Sequence, residues 1–148
     1  MDRTTVGRPM EILLVEDSLL AGRLAMAAIK QCGFDHRLTW LRDGQEAIDF
    51  LTQASRFSKA PMPDLVLLDL VLPSCSGCDI LRTVRQTPRL HLLPVVIMTG
   101  EAGETDANLC QSLLVQGFLP KPIDLPKFMQ LVADLRHHWQ ADMIQRPQ

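Results

Sequence analysis

The stretch DLVLLDLVLP, residues 64–73, decides the fold. Its apolar residues are nearly continuous instead of alternating, which is typical of a strand covered on both faces in a parallel sheet. Asp69 interrupts the stretch at a place where an apolar side chain would cost nothing. Because burying a carboxylate without a partner costs several kcal/mol, a purely structural Asp69 is disfavoured. We therefore expect a buried parallel strand that carries a functional aspartate near its carboxyl end.

Outward from this strand, the chain alternates apolar segments with segments of helical periodicity. The apolar segments predict strands at residues 10–15, 36–40, 64–69, 94–98 and 117–119. Helical spacing predicts helices at residues 18–33, 44–51, 80–88, 107–114 and 124–144. Strands that alternate with helices imply right-handed crossovers and a three-layer α/β fold. The expected fold class is a doubly wound, flavodoxin-like (βα)5 domain with a parallel five-stranded sheet of order 2-1-3-4-5.

The length and charge of the chain limit its function classes. The 148 residues suit one domain, which we place at residues 10–140, between a flexible N-terminal segment at 1–9 and a C-terminal tail at 141–148. A net charge of −2 provides no basic field for nucleic acids or anionic membranes, and no apolar stretch approaches the ~20 residues of a membrane span. The polar start of the chain is unlike a signal peptide, so a cytoplasmic location is expected. The cysteines are expected to be reduced thiols, namely Cys32, Cys75, Cys78 and Cys110.

Polar side chains are placed where the predicted strands end. Glu16 and Asp17 follow the first strand, Asp69 ends the third, and Thr99 and Lys121 follow the fourth and the fifth. In an open parallel sheet, ligands bind outside these carboxyl ends, at the point where the strand order reverses. Each residue has a structural alternative: Asp17 as a helix cap, Thr99 as an ordinary strand end, and Lys121 as a solvated turn lysine. Their shared edge favours one functional site.

The chemistry of these side chains favours a divalent cation and phosphoryl transfer. Three carboxylates at close range repel one another, so they take up protons or recruit a cation. This set of oxygen ligands suits Mg²⁺, with Mn²⁺ as a substitute, better than it suits Zn²⁺. A carboxylate can itself be the nucleophile and form an aspartyl phosphate. Asp69, at the centre of the predicted edge, is the best placed for that role.

The chain resembles the receiver domain of two-component response regulators in the order and spacing of Glu16-Asp17, Asp69 in LLDLVLP, Gly77, Thr99-Gly100 and Lys121-Pro122. The resemblance covers residues 10–140. It implies that Asp69 accepts a phosphoryl group from a kinase histidine and that the protein catalyses only its own phosphorylation and dephosphorylation. Two alternatives remain. A haloacid-dehalogenase-like phosphatase needs a second carboxylate where Val71 stands, and a pseudo-receiver, a binding module without the chemistry, normally lacks one of the site residues.

The resemblance also assigns roles to individual residues. It implies that the metal site consists of Glu16, Asp17, Asp69 and the backbone carbonyl of Val71, with Glu16 orienting metal-bound waters. Thr99 and Lys121 would contact the phosphoryl oxygens. Phe118, three residues before the lysine, would be the aromatic switch residue whose rotation, with Thr99, reports the phosphorylation state.

Three weaker features look like the stand-alone response regulators of cyanobacterial and bacterial phytochromes: the loop at residues 54–63, the LLDLVLP segment, and His137-His138-Trp139 in the last predicted helix. They imply a sensor histidine kinase of the phytochrome type as the partner. With no output domain expected, the signal would leave through a contact with a downstream protein, which the sequence does not name.

The last predicted helix suggests a homodimer. Residues 124–144, if helical throughout, would reach about 30 Å, which is more than a five-stranded layer needs to cover it. The overhanging turns would carry Trp139, Met143 and Ile144, and exposed apolar groups of this size usually mark a contact surface. The expected interface combines the predicted helix at 107–114, the fifth strand and the last helix. The alternative is that Trp139 folds back on its own domain.

Overall fold

The structure is a computed structural model, which describes residues 8–100 and 113–145. Its strands are β1 (Met10–Val15), β2 (His36–Leu41), β3 (Leu65–Asp69), β4 (Val95–Thr99) and β5 (Gly117–Pro120). The helices of the described residues are α1 (Leu19–Lys30), α2 (Gly44–Thr52), α3 (Gly77–Gln86) and α4 (Leu125–Gln145), with a 3-10 turn at Ser55–Phe57.

The strands form one parallel sheet of order β2-β1-β3-β4-β5. At the carboxyl ends, Val15 pairs with Leu41 of β2 and with Leu68 of β3, and Asp69 pairs with Met98 of β4. The order reverses between β1 and β3, as predicted for a doubly wound sheet. The predicted fold class is therefore confirmed.

Both faces of the sheet are buried, which explains the continuous apolar sequence of β3. Val66 and Leu68 belong to the core on the side of α2 and α3, where Leu81 is also fully buried. Leu65 and Leu67 belong to the core on the side of α1 and α4, with buried partners Ala25, Ile29, Phe128 and Val132. The sheet is thus the middle layer of three.

Several helix boundaries differ from the predicted ones. Helix α3, predicted at residues 80–88, spans Gly77–Gln86. The predicted helix at 107–114 lies mostly outside the described residues, but Leu113 and Leu114 are not helical, so the prediction is wrong for these two. The guanidinium of Arg85 donates to the Leu114 carbonyl through Nε and Nη2 at 3.0 and 2.6 Å, which holds this segment against α3. Helix α1 ends at Lys30, before the predicted end at residue 33, and Gly33, with φ 81°, forms the turn beyond it.

The cysteines depart from the expectation of four reduced thiols. Cys32 and Cys75 are free, and Cys32 is buried. Cys78 is disulfide-bonded, so the prediction of a reduced thiol is wrong there, and Cys110 lies outside the described residues. Sequence spacing alone does not show which cysteines a fold brings together.

The domain bounds predicted at residues 10 and 140 stay a prediction. Helix α4 reaches Gln145, past the boundary predicted at residue 140. Most of the predicted N-terminal segment lies outside the described residues, although Arg8 forms an ion pair with Asp64 at 2.8 Å. Among the described helices, none has the length and apolarity that a membrane crossing requires.

Candidate functional site

The predicted site residues lie at the carboxyl edge of the sheet. Glu16 and Asp17 directly follow β1, Asp69 and Thr99 are the last residues of β3 and β4, and Lys121 directly follows β5. Because β3 lies between β1 and β4, Asp69 is at the centre of this edge. For Thr99 the structure describes the backbone position only, at the edge beside Asp69.

Lys121 contacts two carboxylates at once. Its Nζ lies 2.8 Å from Glu16 Oε1 and 3.0 Å from Asp69 Oδ2. Burial acts to lower the pKa of Lys121, but the contacts with the two carboxylates outweigh it, and the pKa is raised. Lys121 is therefore a charged bridge between the ends of β1 and β3, and the alternative of a solvated turn lysine is wrong.

Glu16 is the most deeply buried carboxylate of the site, with a side chain only 1% exposed. Burial raises the pKa of Glu16, against the lowering effect of Lys121 and of the Ser18 amide, which donates to Oε2 at 2.9 Å. Oε1 lies beside the Lys121 ammonium but has no partner in hydrogen-bond geometry among the described residues. A buried carboxylate oxygen with unused acceptor capacity suits a bound water or ion.

Asp17 does not cap α1. Ser18 is the N-cap, and its hydroxyl accepts from the Ala21 amide at 3.1 Å. The Asp17 side chain is exposed, and its carboxylate forms no hydrogen bond or ion pair with residues 8–100 or 113–145. The alternative of a structural cap is therefore wrong, and the Asp17 carboxylate is left available for a ligand.

The donor set fits a hard divalent ion. Mg²⁺ is commonly held by one or two carboxylates with waters in the remaining positions, and Asp17 and Asp69 supply two carboxylates here. Within residues 8–100 and 113–145 the side chains form no close group of three His, Cys, Asp or Glu that could hold an ion. The protein thus offers only part of the oxygen ligands, and waters would complete the coordination of an ion. A structural zinc site differs, because protein ligands fill all four positions there.

The loop after Asp69 is fixed from two sides. The Val71 amide donates to Asp69 Oδ1 at 3.1 Å, while the exposed Val71 side chain points no polar group at the site. Gly77 begins α3 so close to β3 that an added Cβ would lie 2.6 Å from the Asp69 carbonyl oxygen. The loop carrying the Val71 carbonyl therefore needs glycine at position 77.

The same loop is also held by the start of α2. The Gly44 amide donates to the Pro73 carbonyl at 3.1 Å, and Asp43 accepts from the Ser74 hydroxyl. The Ser74 hydrogen bond, more than the Glu46 amide, lowers the pKa of Asp43. Sequence patterns do not reveal these hydrogen bonds, because the start of α2 and the loop after β3 lie about thirty residues apart in the chain.

Trp40 and Arg42 are two further residues of the site that sequence reasoning missed. Trp40 Nε1 donates to the Glu16 carbonyl at 2.9 Å, and Arg42 donates to the Asp17 carbonyl through Nε and Nη2 at 3.1 and 3.0 Å. Trp40 was predicted only as a strand residue. Its alternation pattern carries no signal for a hydrogen bond to a neighbouring strand end.

The predicted switch residue Phe118 and the predicted dimer residues are not among the site contacts described above. Phe118 is in β5, and 45% of its surface is exposed. Trp139, Met143 and Ile144 lie in the last turns of α4, and their side chains are outside the described part of the structure.

Comparisons with known proteins show the family of this chain. The response regulator receiver domain family matches residues 12–133. The response regulator Rcp1 of Synechocystis is 37% identical over 131 residues, which are 88% of this chain and 89% of Rcp1.

Solved structures of such regulators superpose closely. The bacteriophytochrome response regulator RtBRR has 32% identity and a TM-score of 0.77, covering 86% of this chain and 78% of that chain. The Mn²⁺-bound form of Rcp1 has 37% identity and a TM-score of 0.73, covering 89% and 95%. The phosphorylated cyanobacterial phytochrome response regulator RcpA has 32% identity and a TM-score of 0.73, covering 88% and 94%. This protein therefore belongs to the response regulator receiver domain family and has the role of a two-component response regulator.

Proposed function

We propose that Asp69 accepts a phosphoryl group from the phosphohistidine of a sensor kinase and that the phosphorylated protein signals by protein contact. One observation carries this proposal: Asp69 ends the central strand with its Oδ2 only 3.0 Å from the Lys121 ammonium. A carboxylate in that position combines a nucleophile with a fixed positive charge for the incoming phosphoryl oxygens.

The transfer itself follows from these two residues. An Asp69 oxygen forms a bond to phosphorus while the bond from phosphorus to the histidine nitrogen breaks. The electron pair of that bond stays on the imidazole, which takes a proton. Lys121 keeps its own proton, because its pKa is raised, and its charge stabilises the oxygens of the transferred group. Thr99, whose backbone ends the neighbouring strand, would donate a hydrogen bond from its hydroxyl to the same group.

Asp17, Asp69 and the Val71 carbonyl would hold Mg²⁺, or Mn²⁺ in its place, with Glu16 orienting its waters. The ion would supply charge neutralisation between the carboxylates and the phosphoryl oxygens. The exposed Asp17 carboxylate and the unused acceptor capacity of Glu16 Oε1 support this assignment.

The partner kinase is of the phytochrome type. Support comes from the bacteriophytochrome regulator RtBRR and the cyanobacterial phytochrome regulator RcpA, both 32% identical to this chain. We propose a cytoplasmic location, because the phosphoryl group of the kinase comes from ATP. A nucleic-acid partner is not part of the proposal, since the net charge is −2.

Phosphotransfer tests the kinase assignment. We expect label to pass from an autophosphorylated bacteriophytochrome kinase to this protein much faster than from an autophosphorylated chemotaxis-type kinase, because docking surfaces select the partner. The measurement is the loss of radiolabel from each kinase with time, at equal kinase and regulator concentrations. Equal rates from the two kinases would contradict the phytochrome assignment.

We also propose that the protein is a homodimer. Helix α4 has 21 residues and so extends about 30 Å, while its described buried residues end at Leu135. Beyond them the sequence places Trp139, Met143 and Ile144 in the final turns. Phe118, exposed on β5, would connect the phosphorylation site to this surface.

Sedimentation equilibrium at micromolar concentration tests the dimer. We expect the wild type to be dimeric and both Trp139→Ala and the Met143→Glu/Ile144→Glu variant to be monomeric, because each removes apolar contact area or adds charge to it. A wild type that stays monomeric with and without phosphorylation would contradict the dimer. A dimer unaffected by all these substitutions would place the interface elsewhere.

A further inference from the structure

Trp40 connects helix α1 to the acidic end of β1. It is the last residue but one of β2, where it pairs with Leu14 of β1. Its indole lies so close to α1 that a Cβ added to Gly22 would be 1.9 Å from Cζ2 of the ring. From this position the indole N–H reaches the Glu16 carbonyl at 2.9 Å. The Trp40 indole therefore fits against α1 only because Gly22 has no side chain. From there it holds the backbone of the proposed metal site.

The hydrogen bond from Trp40 acts on the peptide unit that joins Glu16 to Asp17. The orientation of this peptide unit sets the directions in which the Glu16 and Asp17 side chains leave the backbone. Arg42 holds the next carbonyl, that of Asp17, with two hydrogen bonds. Both carbonyls of the acidic pair are therefore held by side chains from the end of β2. Partners of this kind orient metal-binding side chains and affect metal affinity although they do not touch the ion.

We propose that Trp40, seated against Gly22, is a positioning residue for divalent-ion binding at the acidic pair. This inference rests on the proposed function, because it presumes that Asp17 and Asp69 bind an ion. The competing explanation is that Trp40 only fills space between β2 and α1. The two explanations differ in the effect of removing the N–H while keeping an aromatic ring.

Direct ion binding separates these explanations. The free Mn²⁺ signal in electron paramagnetic resonance, measured as protein is titrated with Mn²⁺, gives the dissociation constant without phosphorylation. We expect Trp40→Phe to weaken Mn²⁺ binding about tenfold. Leu38→Val is the matched control, because Leu38 packs in the same part of the core from the same strand but donates no hydrogen bond to the acidic pair. Its dissociation constant should equal that of the wild type.

Gly22 provides a second, independent variant. Gly22→Ala should weaken Mn²⁺ binding to a similar extent, because the new methyl group displaces the indole from the Glu16 carbonyl. In the Trp40→Phe background the same Gly22→Ala change should have almost no further effect, since the hydrogen bond is already lost. Additive effects of the two substitutions would contradict a shared action through that bond.

Fluorescence supplies a spectroscopic signature. Mg²⁺ should change the tryptophan emission of the wild type, and the change should be absent in Trp40→Phe, which retains Trp139. Urea unfolding in EDTA should give nearly the same midpoint for Trp40→Phe and Leu38→Val. If these two variants bind Mn²⁺ as tightly as the wild type, or both bind it equally weakly, Trp40 has no positioning role. If the wild type itself binds no Mn²⁺, the proposed ion site fails, and this inference fails with it.

Discussion

Asp69→Asn is expected to abolish the incorporation of phosphate from acetyl phosphate in the presence of Mg²⁺. The amide has no anionic oxygen to attack phosphorus, and it cannot balance the charge of Lys121, whose Nζ lies 3.0 Å from Oδ2. The substitution keeps the shape of the side chain at the end of β3, and Glu16 remains as a partner for Lys121, so we expect the variant to fold. The measurement is radiolabel retained on the protein after gel filtration.

Asp64→Asn is the matched control for this experiment. Asp64 directly precedes β3 at the opposite edge of the sheet, where it pairs with Arg8 and accepts from the Glu11 amide. Its replacement should leave labelling at the wild-type level. Labelling of Asp69→Asn equal to that of the wild type would overturn the assignment of the phosphoacceptor.

Lys121→Met is expected to destabilise the metal-free protein by about 2 kcal/mol. Removing one member of a buried ion pair typically costs about 3–5 kcal/mol. The expected cost is lower here because the Lys121 side chain is 23% exposed, so that solvent screens its charge in part. The loss arises because Glu16 and Asp69 would face each other without the ammonium between them. Added Mg²⁺ should restore much of the lost free energy, since the ion then supplies the missing positive charge. We therefore expect Lys121→Met to retain Mg²⁺ binding.

Urea unfolding at neutral pH in EDTA and in Mg²⁺ measures this effect. Lys127→Met is the control, because Lys127 is an exposed lysine of α4. The stabilisation by Mg²⁺ should be larger in Lys121→Met than in the wild type, where the ammonium already neutralises the carboxylates. The ion-pair argument fails if Lys121→Met and Lys127→Met have the same unfolding free energy in EDTA.

The backbone of the site could be predicted from the sequence because local patterns determine it. The stretch ending in Asp69 is apolar on both faces since two cores cover β3, with Leu67 on one side and Leu68 on the other. The same parallel-sheet logic placed Glu16 and Lys121 at one edge. Strand positions and strand order follow from periodicity and crossover rules, which act over short distances along the chain.

The contacts within the site could not be predicted in the same way. Nothing in the pattern around Lys121 shows that its ammonium contacts Glu16 as well as Asp69. Trp40 follows the alternation of an ordinary strand, and its hydrogen bond to the Glu16 carbonyl depends on the space left by Gly22. Such contacts depend on side-chain orientation across elements that are distant in sequence. The wrong helix prediction at Leu114 has a similar cause, because the Leu114 carbonyl is held by Arg85 of α3, which is distant in sequence.

Reductive trapping of the phosphorylated site tests the central claim most directly. Borohydride converts an aspartyl phosphate to homoserine, which peptide mass spectrometry locates in the chain. After treatment with acetyl phosphate and Mg²⁺, we expect homoserine at position 69 and at no other position, and none when EDTA replaces Mg²⁺. Homoserine at a different aspartate, or at position 69 to the same extent in EDTA, would contradict the account.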